Sequence, residues 1–300
     1  MFKWNFPLLS TYWSAADIVV QHIAKEIGGA DKLSGKKIAL LFHDSPFGKE
    51  PIPALLALAH KYQFQFRSIP VPHPGIEQEP QWRSIRQDLP DYVLLWGWGV
   101  MNSAALKHAA IAGYPRERMI GVWWSGSEAD VRPAADAAKG YKALMLQDGS
   151  GKVAVHGALE RYLYAKGRGS GKGDEIGQVL YNRGLVGSML GVEGIRKAQE
   201  KFGKKPLTGE QVRWGLEHLD LDTVRIKELG FEGMMRPVKV SCADHEGART
   251  SRIQQWDGSV WKVISDWYTA DASVTEPIVK EMAAKYAAEK HITPRDCSKE

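Results

Sequence analysis

Apolar positions along this 300-residue chain follow two alternating rhythms. Short aliphatic runs such as KIALLF at 37–42 and DYVLLWGWG at 91–99 are bounded by Gly or Pro. They are too short for ordinary helices and suit strands buried on both faces. Between them apolar residues recur at helical spacing: Ala16, Val19, Val20, Ile23, Ala24 and Ile27 within 11–27, and Ala105, Leu106, Ala109 and Ala110 within 102–112.

Taken in order, the pattern predicts an extended segment over 1–10 broken by Pro7, then a helix over 11–27 opened by Ser14 and Asp17 and closed by Gly28-Gly29. Strands follow at 37–42, 65–71, 91–99, 118–124 and 141–146, separated by helices through 55–62, 81–88 and 102–112. A turn covers 43–48 and a loop covers Asp148 to Gly151. Helices then dominate, over 153–165, 176–202 and 209–219, the last opened by a capping box of Thr208 and Gln211. Lys239–Cys242, Thr250–Trp256 and Trp261–Trp267 read as an antiparallel run with Asp257-Gly258 as hairpin signal. A terminal helix begins near Thr275, with Pro277 in its first turn. Strands alternating with helices imply right-handed βαβ units and a parallel sheet, hence an α/β fold.

The predicted strands are tipped with aromatics: Phe47 after the first, then Trp96 and Trp98, then Trp123 and Trp124. Parallel strands present their C-terminal ends on one edge, where open α/β sheets bind ligands, so these side chains should converge on a cleft. Period-2 alternation puts Trp96 and Trp98 on the same side, with Gly97 and Gly99 leaving room beside Trp98. The alternative use of the same residues is to fill a core.

Composition narrows the partners. Net charge is +5, but the 40 Lys and Arg are scattered among 35 acidic residues without a block, so no nucleic-acid footprint stands out. No run of 18 apolar residues is present, and the first ten residues lack the apolar stretch of a signal peptide. Cys242 and Cys297 have no metal-binding spacing and are either two thiols or one disulfide.

Catalytic patterns are missing: no GxSxG, HExxH, Walker A or strand-borne GxGxxG occurs. The loop GRGSGKG at 167–173 follows a predicted helix and lacks phosphate-loop spacing. His43-Asp44 follows a strand end, and Asp244-His245-Glu246 looks like a turn. Converging aromatics without a nucleophile and base favour ligand binding over catalysis, and no cofactor or metal is expected.

The segments KIALLFHDSPFGKE at 37–50, PDYVLLWGWG at 90–99, LKHAAIAGYPRERMIG at 106–121, AKGYKAL at 138–144, YNRGLVGSMLGVEGIRKA at 181–198 and QQWDGSVWKVISDW at 254–267 carry a resemblance. In that order they are similar to the type I periplasmic substrate-binding proteins of ABC transporters, in the branched-chain amino acid (Leu/Ile/Val-binding) family. The resemblance implies two α/β lobes with ligand between them, a periplasmic location, and a membrane permease as partner. It assigns 1–11 to the end of the first lobe and a hinge, 12–146 to the second lobe and 147–235 to the helical remainder of the first. It gives 236–270 to late strands returning to the second lobe, and 271–300 to a C-terminal helix and tail.

The ligand set implied is Phe47, Trp96, Gly97, Trp98, Trp123, Trp124 and Arg183, for a small amino acid-like molecule or an aromatic or aliphatic carboxylate. Trp123 matches a position where amino-acid binders carry an acid for the ligand's ammonium, so an ordinary branched-chain amino acid is not the expected ligand. An exported protein would make a Cys242–Cys297 disulfide plausible. Family members also carry a signal peptide and most of the first lobe's sheet ahead of the segment matching 2–10. Without that sheet, helices over 152–230 should show exposed apolar faces. The competing readings are an effector-sensing domain of a regulator with this fold, for which no helix-turn-helix is present, and an enzyme using His43 and Asp44.

Overall fold

Helix α1 (Tyr12–Glu26) buries the apolar stripe read from the sequence, with Ala16, Val19, Val20 and Ile23 almost fully enclosed. It opens the first of two units into which the computed structural model divides the chain: Tyr12–Met145 with Ser251–Ile278. The other comprises Met1–Thr11, Leu146–Thr250 and Val279–Glu300. Residues 2–148 and 151–299 are described, so Gly149 and Ser150 of the expected 148–151 loop lie outside the described residues.

The first unit is built on β1 (Lys37–His43), whose Ile38–Phe42 are buried on both faces. After α2 (Pro46–Lys49) and α3 (Ile52–Tyr62), β2 (Gln65–Val71) pairs parallel to β1 from Lys37 opposite Gln65 to His43 opposite Val71. Helix α4 (Glu79–Asp88) leads to β3 (Tyr92–Trp96) on the other side of β1, with Phe42 opposite Trp96. Helix α5 (Val100–Ile111), β4 (Met119–Gly121), α6 (Glu128–Val131) and β5 (Lys142–Met145) complete five parallel strands in the order β2-β1-β3-β4-β5. The order reverses between β1 and β3, which makes their C-terminal ends the topological switch point.

In the second unit α7 (Ala154–Tyr162), α8 (Val179–Phe202), α9 (Gly209–Glu217) and α10 (Thr223–Glu228) accompany a two-stranded sheet of β6 (Asp220–Leu221) and β7 (Val238–Lys239). The Thr208–Gln211 capping box is present, with Gln211 N–H donating to Thr208 Oγ1 at 3.3 Å. Apolar helix faces lie open, with Tyr162, Leu180, Val192, Ile195 and Val224 all exposed. The buried Glu217 accepts from Arg213 Nη1 at 2.6 Å, Arg295 Nη2 at 3.1 Å and His245 Nε2 at 3.2 Å. Burial pushes this carboxyl up, but the bonds from Arg295 and Arg213 outweigh it and leave it below its usual range. Cys242 and Cys297 are joined by a disulfide, with Cα atoms 5.7 Å apart, two residues beyond Arg295.

The chain then returns to the first unit through β8 (Thr250–Trp256), antiparallel to β5, followed by β9 (Trp261–Val263), β10 (Tyr268–Thr269) and the start of α11 (Ala272–Glu289), whose residues from Val279 onward belong to the second unit. Three expectations are corrected here. Val238–Lys239 pairs with Asp220–Leu221, not with β8, so the late antiparallel run has two members where three were expected. The strand expected over 118–124 stops at Gly121, because Ser125 Oγ donates to Val122 and Leu95 carbonyls and folds 123–125 into a tight turn. Helix α11 starts at Ala272, ahead of Thr275, because Asp271 Oδ1 accepts from Ser273 N–H and Oγ–H, leaving Pro277 inside the helix and not in its first turn.

Candidate functional site

After β1 the chain doubles back so tightly that a Cβ on Gly48 would stand 1.9 Å from the His43 carbonyl oxygen, and this turn delivers Phe47. From β3 come Trp96, at the strand end, and Trp98, in the loop before α5; from the turn after β4 come Trp123 and Trp124. Tyr12, the first residue of α1, lies among them. Its ring stacks on Trp123 at a centroid distance of 5.1 Å and 17°, and meets Phe47 edge-on at 5.1 Å and Trp96 at 6.4 Å. Phe47 meets Trp98 at 6.3 Å, Trp98 meets Trp124 at 5.2 Å, and Trp124 Nε1–H donates to Tyr12 Oη at 2.7 Å. Six rings thus form one connected set at the C-terminal edge of the sheet, around the β1/β3 switch point.

Within the set, exposure grades from floor to rim. Trp96 is fully buried and Trp123 nearly so, Tyr12, Phe47 and Trp124 are half-buried, and Trp98 is 54% exposed. The expectation that Trp96 and Trp98 share a side is corrected: β3 ends at Trp96, strand alternation stops there, and Trp96 becomes floor while Trp98 becomes rim. Gly97 also has a different role from the clearance expected of it. A Cβ there would lie 2.1 Å from Asn102 Oδ1, and Asn102 Nδ2 donates to the Trp124 carbonyl at 2.9 Å and to Asp130 Oδ1 at 2.7 Å. Its missing side chain admits the asparagine that pins Trp124. Gly99 sits at φ 56°, a backbone state that favours glycine, with open space where a Cβ would stand.

Asp130 and Asp44, near this edge, are engaged elsewhere. Asp130 accepts from Ser127 N–H at 2.9 Å and Ser127 Oγ–H at 2.6 Å as the cap of α6. Asp44 pairs with Lys49 at 2.6 Å, while His43 Nε2 lies 3.3 Å from His73 Nδ1, so His43 and Asp44 do not form an acid–base pair with each other. Glu50, just past Phe47, is half-buried, and desolvation pushes its carboxyl up to about 7. Arg183 lies on α8, in the other unit from the six rings. Asp244 to Gly247 is a turn in which Asp244 Oδ1 accepts from the Glu246 and Gly247 N–H groups. In the 167–173 loop, Gly169 and Gly173 lie against the Tyr164 ring.

Sequence reasoning missed Tyr12 as a member of the set. The available signal was an aromatic pair, Tyr12-Trp13, opening a helix otherwise rich in small and aliphatic residues.

A model of the periplasmic binding protein family matches residues 1–260. Among solved structures, an ABC transporter permease from the Pseudomonas fluorescens group is 47% identical with a TM-score of 0.94, covering 99% of this chain and 72% of that one. A branched-chain amino acid ABC transporter from Thermus thermophilus with bound valine is 20% identical with a TM-score of 0.71, covering 91% and 69%. An ABC transporter solute-binding protein from R. palustris in complex with benzoate is 14% identical with a TM-score of 0.59, covering 87% and 64%. No curated protein matches the chain.

Proposed function

The chain belongs to the periplasmic binding protein family, and on that premise we propose that it is the extracytoplasmic solute-binding component of an ABC importer. Its ligand is a small carboxylate or amide with a flat or apolar body, and its partners are that ligand and the membrane permease. The observation that carries this reading is the six-ring set at the β1/β3 switch point, with Trp98 at its rim. Stacked and edge-on rings offer dispersion and quadrupole contacts to a planar or aliphatic body. Phe47, Trp98 and Trp124 supply the contact surface, and the buried Trp96 and Trp123 support them from below. An α-ammonium needs a carboxylate or several acceptors, and a Trp at position 123 offers only a ring face.

The similar folds that hold valine and benzoate illustrate how far ligands vary on this scaffold. Titration calorimetry with benzoate, hexanoate, L-valine and L-leucine tests the reading. One of the first two is expected to bind, and Trp98→Ala is expected to weaken it about tenfold or more, a loss on the scale of one buried aromatic contact. Micromolar binding of valine or leucine would overturn the ligand class.

A further inference from the structure

The opposite, N-terminal edge of the same sheet holds a groove of about 470 Å³ that the solute-binding reading leaves unused. The end of α1 brings His22 and Glu26 to it, β5 brings Lys142, the segment before β4 brings Glu117, and β10 brings Tyr268. Lys142 is 6% exposed and ion-paired with Glu26, and Lys25 at the rim lies 3.6 Å from Asp266. Both ammonium groups of the lining are therefore already matched. Among the described residues Glu117 has no ion pair, so the groove retains one unmatched negative charge.

His22 is 4% exposed. Its Nδ1 is 3.1 Å from the Tyr268 hydroxyl, while Nε2 is buried without a hydrogen-bond partner, 3.7 Å from Glu26 Oε1. Desolvation pushes this imidazole down to about 4, so the ring is neutral at pH 7 and offers a lone pair at one nitrogen. A buried ring nitrogen left unpaired is costly, and a guest that donates to it relieves that cost.

From this juxtaposition we infer that the groove is a second small-molecule site, for a primary alkylammonium ion. With the ring proton of His22 on Nδ1, donated to the Tyr268 hydroxyl, Nε2 carries the lone pair, and the three N–H donors of such an ion match three acceptors of the lining: the Glu117 carboxylate, the free capacity of the Glu26 carboxylate and His22 Nε2. Its single charge neutralises Glu117. An anion would add to the unmatched charge, and a quaternary ammonium would bring charge without a donor for His22.

The test is an NMR titration of the whole protein with n-butylammonium chloride, following the His22 ring nitrogens, beside sodium butyrate, 1-butanol and tetramethylammonium chloride. A saturable shift with butylammonium alone is expected, unchanged in Trp98→Ala. In Glu117→Gln, an exposed position, binding should weaken about tenfold, the weight of one hydrogen bond to a charged group. Equal shifts with tetramethylammonium or butyrate, no shift with butylammonium, no effect of Glu117→Gln, or loss in Trp98→Ala would each overturn the site. None of these outcomes depends on what binds the aromatic edge.

Discussion

Both units leave aliphatic residues exposed, Leu89 and Ile111 in the first and Leu180, Val192 and Ile195 of α8 in the second, but the first packs its core around five parallel strands, whereas the second ties its segments with a disulfide and the Glu217 cluster. Where a sheet presents two apolar faces, helices bury their stripes against it, and burial is the main stabilising term. Where the described strands amount to a two-residue ladder, point links stand in: Arg295, placed two residues before Cys297, reaches Glu217 in α9. The two units therefore differ in what a mutation can break.

The largest effect should come from the sheet. Leu94→Ala removes a fully buried side chain from central β3, and urea unfolding should show a loss of about 4 kcal/mol. A loss below 1 kcal/mol would mean that this core is loosely packed and the contrast is false. Cys297→Ser removes a link between residues 55 apart, and about 3 kcal/mol should go from the unfolding of the second unit. Hydrogen exchange should quicken around Glu217 and leave β1 and β3 protected; faster exchange across the sheet would erase the distinction.

Glu50→Gln sharpens the first unit's side. Its folded pKa of about 7 lies above the ordinary 4.5, so the folded state holds a proton that the unfolded chain gives up first. The native protein therefore loses stability as pH rises from 4.5 to 7. Discounting for partial exposure, the glutamine variant should be about 2 kcal/mol more stable at pH 8 and equal to the parent at pH 4. Equal stability at both pH values would show that the carboxyl is not desolvated. The smallest change is Ile195→Lys, on an open face: unfolding free energy should shift by less than about 0.5 kcal/mol, with weaker binding of an apolar dye. A large destabilisation would mean that this face is buried in solution.

Much of the fold is legible in the sequence because buried strands announce themselves. Gln65–Val71 and Thr250–Trp256 match their expected bounds, and the KIALLF strand extends by one residue to His43. What misled were aromatics and β-branched residues outside strands. RMIGVWW looks like a strand, yet a serine hydroxyl turns the backbone after Gly121. At the candidate site, the convergence of Phe47, Trp98 and Trp124 follows from strand order, but the division into floor and rim depends on where β3 stops. The role of Gly97 depends on Asn102, a contact no local pattern encodes. The groove at the other edge was invisible, since His22, Glu117 and Lys142 are brought together only by topology.

The spacing of Trp98 and Trp124 has an optical consequence. Indole rings with centroids 5.2 Å apart and planes at 58° couple electronically, so this pair should contribute a near-ultraviolet circular dichroism couplet beside that of Trp256 and Trp261, 5.5 Å apart at 62°, and Trp98→Ala should remove the first alone. Because Trp98 is the exposed partner and Trp124 is held by Tyr12 and Asn102, a molecule settling on the rim, as proposed, would rotate one ring against a fixed one. On that proposal the protein would carry its own label-free reporter of occupancy.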